Sequence, residues 1–75
     1  MSDLSVARAI FSKLVSAYNR RDRYLFERDD VEHPVDDDRR DLLDVRLFRV
    51  RAEIAEFERD LTRLDARLRE EDDAA

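Results

Sequence analysis

The second half of the chain carries an unbroken heptad repeat of apolar residues. From Leu43 to Leu68, successive apolar positions are spaced alternately four and three residues apart. We call these eight residues the inner seam: Leu43, Leu47, Val50, Ile54, Phe57, Leu61, Leu64 and Leu68. Such spacing places a continuous apolar stripe along one side of an α-helix, and it is typical of a helix that packs along a second helix.

The first half of the chain supplies a second helix of the same kind. We predict helix over residues 3–30, with Ser2 as N-cap and Asp3 favourable in the first turn. Its heptad positions hold Leu4, Ala7, Phe11, Leu14, Tyr18, Arg21 and Leu25. A parallel stripe beside them holds Val6, Ile10, Ala17 and Tyr24. The apolar face is therefore wider than one partner helix requires, and we predict that this second stripe serves self-association.

A break at residues 31–36 separates the two predicted helices. His33 precedes the only proline, Pro34, and is therefore disfavoured in a helical conformation. Asp36, Asp37 and Asp38 then offer an N-cap and acidic first-turn residues to a helix predicted over residues 37–69. Residues 70–75 read as a frayed acidic tail.

Folding the chain back at Pro34 brings the two heptad stripes into register. In an antiparallel pair, Leu14 then faces Ile54 and Phe11 faces Phe57. The chain contains no glycine, which a small β-rich domain would need for its turns. The predicted fold class is therefore all-α, a single domain formed by an antiparallel αα-hairpin.

Charged residues beside the stripes add further expectations for this register. Arg8 is expected to reach Glu58 or Asp65, and Asp22 is expected to reach Arg51, across the hairpin. Exposed ion pairs contribute only about 0.2–1 kcal/mol each, so they select the register more than they stabilise the fold.

The size and composition of the chain favour self-association and argue against several other classes. A hairpin of 75 residues buries little apolar surface, and without cysteine it forms no disulfides. We therefore predict that two hairpins form a four-helix bundle. The net charge of -5 makes nucleic-acid binding an unfavoured partner class, and no apolar run reaches the length of a membrane span. We expect a cytoplasmic protein with no membrane partner.

An apolar stripe also follows the predicted far side of the second helix, opposite the inner seam. We call it the outer stripe, and it comprises Leu42, Val45, Phe48, Ala52 and Ala55. Phe26 falls on the adjoining side of the first helix. A solvated face does not ordinarily carry a contiguous apolar patch, so these residues are predicted to bind a partner. The partner is either a second copy of the chain or another protein.

The acidic residues around the break, three arginines of the first helix and His33 each allow a functional and a structural interpretation. The acidic residues around the break could bind a cation, but their spacing does not fit an EF-hand loop, whose glycine is also missing. The simpler interpretation is a solvated turn with a helix cap. Arg20, Arg21 and Arg23 could contact RNA phosphates, which makes an RNA-binding regulator the alternative function. His33 has no nucleophilic partner in the sequence pattern. We expect no enzyme activity, no cofactor and no metal site, and we predict an interaction or structural module.

Overall fold

The computed structural model describes residues 2–74, with side chains described for residues 2–70. It contains two α-helices, α1 (Asp3–Arg28) and α2 (Asp37–Ala74), which pack against each other as a hairpin. The molecule measures 57 × 19 × 16 Å, so its long dimension matches a helix of the length of α2. The prediction of an all-α hairpin is confirmed.

Both helices begin at the caps that the sequence predicts. The Ser2 hydroxyl accepts a hydrogen bond from the Ser5 backbone N–H at 3.2 Å, which caps α1. The Asp36 carboxylate accepts the Arg39 backbone N–H at 2.8 Å and caps α2 in the same way. Each cap satisfies a backbone donor that has no partner within its helix.

The connecting segment, residues 29–36, is held by its own aspartates. Asp30 accepts hydrogen bonds from the backbone N–H groups of Glu32 at 3.0 Å and His33 at 3.1 Å. The segment turns with no residue at positive φ, so the chain needs no glycine there. The helices differ in extent from the prediction. The first ends at Arg28 rather than residue 30, and the second continues through residues 70–74, where a frayed tail is predicted.

The inner seam forms the α2 side of the core, as predicted. Five of its residues are buried, and Phe57, Leu61 and Leu68 are half-buried. Leu14 and Ala17 of α1 are buried with Leu47, Val50 and Ile54 in one cluster. The predicted pairing of Leu14 with Ile54 is consistent with this cluster.

The α1 side of the core differs from the prediction. Phe11 is 60% exposed, so it does not face Phe57 in a buried layer as predicted, and Leu4, at another heptad position, is 52% exposed. Ala17 is instead fully buried. Successive residues of an α-helix are about 100° apart, so Phe11 points roughly 100° away from Ile10 around α1. The two side chains therefore cannot both face α2. The helix is rotated toward its second stripe, where the small Ala17 lets α2 approach closely.

This rotation also changes the polar contacts between the helices. Arg20 pairs with Glu53 and Arg28 with Asp44, each at 2.8 Å, and Arg39 pairs with Glu27 at 2.7 Å. The carboxylates expected to pair with Arg8 and Arg51 contact other residues. Glu58 accepts from the Tyr18 hydroxyl, Asp65 pairs with Arg69, and Asp22 pairs with Arg21.

Candidate interaction surfaces

The outer stripe is on the surface of the hairpin, on the side of α2 that faces away from α1. Phe48 is 76% exposed, and Leu42 and Val45 are also exposed. Ala52 and Ala55 are exposed as well. Because the inner seam turns inward, the outer stripe has no covering element among the described residues. As predicted, the hairpin leaves this stripe uncovered.

The groove beside Phe48 combines apolar walls with charged residues. It has a volume of about 530 Å³ and is lined by Arg28, Asp44, Leu47, Phe48, Arg51 and Ala52. The Nε atom of Arg28 lies 2.8 Å from Asp44 Oδ1, although its N–H is not aligned for a hydrogen bond. The groove is open, so it suits an apolar side chain from a partner helix better than an enclosed small molecule.

The hairpin end next to the connecting segment exposes two more large apolar residues. Phe26, in the last turns of α1, is 77% exposed, and Val31 in the connecting segment is exposed too. Phe26 was predicted as a partner-binding residue and is accessible for that role. Val31 was not predicted, although its position as an apolar residue between acidic neighbours was a usable signal.

A third exposed apolar surface follows α1 and comprises Leu4, Phe11 and Val15. These residues recur at intervals of seven and four, so they share one side of α1. The heptad spacing predicts Leu4 and Phe11 in the core, and it predicts no role for Val15. The signal that could have found this surface is the second stripe, because a helix that turns Ala17 and Ile10 toward its partner turns Phe11 outward.

The stripe predicted for self-association is mostly used inside the hairpin. Ala17 is fully buried, and Tyr24 is half-buried against the core with the Arg46 guanidinium 5.9 Å from its ring centroid. Val6 and Ile10 are half-buried beside Leu64 in a shallow groove. Ala17 therefore offers no surface to a second chain, and any self-association through this stripe depends on the partly exposed residues.

The arginines considered for RNA binding are mostly engaged within the hairpin. Arg20 donates to Glu53 at 2.8 Å, and Arg21 pairs with Asp22 at 3.1 Å. The Arg21 guanidinium also lies 5.0 Å from the Tyr18 ring centroid. Arg23 is exposed. A phosphate would have to compete with these carboxylates, so the geometry offers no specific support for an RNA site.

The acidic residues around the break act on the backbone. Asp30 holds two N–H groups of the connecting segment, and Asp36 caps α2. His33 Nδ1 lies 3.5 Å from Asp30 Oδ2. Within the described residues, no group of three or more histidine and acidic side chains is arranged to hold a metal ion.

Two polar contacts between elements shift the pKa of their members. The hydrogen bond from Arg39 holds the pKa of the Glu27 carboxyl below its ordinary value. The hydrogen bond from the Tyr18 hydroxyl to Glu58 favours the neutral phenol and raises the pKa of Tyr18. Both contacts join α1 to residues that follow the break, so they bear on hairpin stability rather than on catalysis.

The comparisons with known proteins assign no function to this arrangement. No protein-family model matches the chain, and no curated protein or solved structure matches it at a significant level. Over residues 2–74, neither helix has an apolar stretch long enough to cross a membrane. The exposed apolar surfaces described above are therefore the features from which function has to be argued.

Proposed function

We propose that this protein is a non-enzymatic interaction or structural module that acts through helix–helix packing, as an adaptor, assembly factor or sequestering regulator. The observation that carries the proposal is the exposed outer stripe of α2. It presents Leu42, Val45 and Phe48 together on an exposed face of α2. Patches of this kind on small proteins mark interaction sites more often than bare surface.

The balance between core and surface supports the same proposal. Among the residues whose side chains are described, seven apolar residues are buried, whereas eight large apolar residues are exposed. A single hairpin thus hides fewer large apolar side chains than its sequence supplies. Covering part of the remainder by association would add stability that a chain of this size otherwise lacks.

We further propose that two hairpins associate into a four-helix assembly. The hairpin exposes apolar residues of α2 that its own α1 leaves uncovered, so two copies that meet through these residues bring four helices together. The charged residues that surround these patches, including Arg51 and Asp44 beside Phe48, suit the polar rim of an interface.

The test is a double variant, Phe48→Asp with Val45→Asp, compared with the wild type and with Ala66→Asp. Ala66 is an exposed residue of α2 beyond the outer stripe, so it controls for the added charge. We expect the double variant to keep its helicity by circular dichroism and to lose association. Association is measured by sedimentation and by capture of co-purifying protein from the native host.

Two results would contradict the proposal. If oligomeric state and captured protein were both unchanged in the double variant, the outer stripe would have no interaction role. If the control variant lost association equally, the effect would follow from net charge rather than from the stripe.

A further inference from the structure

Four of the five outer-stripe residues, all but Leu42, belong to a second heptad repeat on α2. Positions 41, 45, 48, 52, 55 and 59 are spaced four, three, four, three and four residues apart. The six residues are Asp41, Val45, Phe48, Ala52, Ala55 and Arg59, and all are exposed. This repeat is offset from the inner seam by two residues, which places it on the opposite side of the helix.

The spacing of this repeat reads the same in both directions about position 50. An antiparallel copy of α2 centred there would place each a position against a d position of the other copy, as antiparallel coiled coils require. Two-fold symmetry would make every contact occur twice, since residue i meets j and j meets i.

The residue types match across this symmetric pairing. Phe48 meets Ala52 of the second copy, and Val45 meets Ala55, so a large side chain faces a small one in each layer. Interfaces pack densely when large and small residues face each other in this way. A pairing of identical positions would instead stack Phe48 on Phe48 and leave the alanines facing each other across a gap.

The charged residues at the two ends of the second heptad repeat match as well. Asp41 of one copy meets Arg59 of the other at both ends of the contact. Within the described residues, neither Asp41 nor Arg59 makes an ion pair inside the hairpin. A parallel pairing would oppose two aspartates at one end and two arginines at the other.

From the size complementarity of the layers and the Asp41–Arg59 pairs at their ends, we propose that the outer stripe binds a second copy of this chain, antiparallel and two-fold symmetric about position 50 of α2. The two α2 helices form the centre of the assembly, and each α1 lies outside. The inference rests on the proposed function and names the occupant of its site.

The first experiment tests the charge pairing. In Asp41→Arg every end contact joins two arginines, and in Arg59→Asp every end contact joins two aspartates. Each exposed ion pair changes a dissociation constant by a factor of roughly 1.5 to 5. Reversing both symmetric pairs is therefore expected to raise the dissociation constant of the dimer about tenfold. The combined Asp41→Arg, Arg59→Asp variant restores opposite charges and is expected to dimerise like the wild type. If this combined variant were as weak as the single ones, the antiparallel pairing would be wrong.

The second experiment tests the register with cysteines, because the natural chain has none. Antiparallel pairing puts residue 45 beside residue 55 of the other copy, whereas the two copies of residue 45 lie roughly 15 Å apart along the helix. A disulfide needs Cα atoms within about 7 Å. A mixture of Val45→Cys and Ala55→Cys chains is therefore expected to form mixed disulfides, with little crosslinking in either variant alone. Equal crosslinking within one variant would overturn the register.

Failure of this inference is distinguishable from failure of the proposed function. A wild-type chain that sediments as a monomer at micromolar concentration would overturn the self-pairing. If that monomer still captured a host protein that Phe48→Asp releases, the stripe would bind a different partner and the interaction module would stand. Loss of dimer in Phe48→Asp with retained helicity, together with the mixed disulfide, is the result that supports the inference.

Discussion

Both helices carry apolar residues at heptad spacing, and they differ in how much of that repeat the hairpin buries. In α2 the inner seam is buried or half-buried over its whole length. In α1 the repeat is split, since Leu14 is buried while Leu4 and Phe11 are exposed. Spacing alone therefore does not decide which face of a helix packs.

The cause of the difference lies in the residues beside each repeat. Charged residues flank much of the inner seam, for example Asp44 and Arg46, so rotating α2 toward an adjoining face would bury charge. The α1 repeat has apolar neighbours on one side, including Ile10 and Ala17, so α1 can rotate without such a cost. Helices approach according to the side chains at their contact, and Ala17 permits a closer approach than Phe11.

The largest expected effect comes from shortening the inner seam at its buried centre. Ile54→Ala removes a buried side chain that packs in the cluster with Leu14 and Ala17. Such a change costs about 2–5 kcal/mol, most of the stability available to a small domain. Thermal melting followed by circular dichroism should lose its cooperative transition. Arg63→Ala, an exposed change on the same helix, serves as the control. A loss below about 1 kcal/mol would mean that the seam does not form the core.

A smaller effect separates the two kinds of heptad position in α1. Phe11→Ala should cost less than about 1 kcal/mol, because the side chain is largely exposed. Leu14→Ala should cost about 2–5 kcal/mol, because its side chain is buried. Urea denaturation of both variants measures the difference. Equal losses would indicate that α1 packs through its heptad positions after all, and the rotation described above would be wrong.

The smallest expected effect concerns the contact between Glu27 and Arg39 near the break. Because folding lowers the pKa of Glu27 from its ordinary 4.5, the contact stabilises the hairpin above that pH. The contribution is lost as the pH falls through the lowered value. Glu27→Gln should therefore be less stable than the wild type at neutral pH, and the difference should shrink in acid. Denaturation across pH, with Glu56→Gln as an exposed control, tests this expectation. A difference that persists unchanged in acid would contradict it.

Residues with one physically favourable placement were predictable from the sequence. The inner seam, the caps at Ser2 and Asp36, and the exposure of Phe48 belong to this group. Each depends on local chemistry or on a single face of α2. The rotation of α1 was not predictable in the same way, because it depends on how closely two surfaces fit.

The same distinction separates the parts of the candidate interaction surfaces that were predicted from those that were not. The exposure of the outer stripe followed from its position opposite the inner seam, which the sequence fixes by periodicity. The exposed surface of Leu4, Phe11 and Val15 depended on the rotation of α1 and was missed. The contact of Arg20 with Glu53 was missed for the same reason.

The burial of Leu43 at the start of α2 has a consequence for the order of folding. Leu43 is fully buried close to the connecting segment, so the buried core begins near the break. Loops of about ten residues close within roughly 10–100 ns. We therefore expect the helices to pack first near the break, with packing then extending toward the two termini. During synthesis, α1 is finished before any residue of the inner seam exists, and its apolar face stays open until α2 follows. The outer stripe ends at Ala55, one residue after Ile54 completes the buried cluster. The proposed association surface and the central buried cluster therefore lie on the same stretch of α2, and both are synthesised before the last buried residue of the core, Leu64.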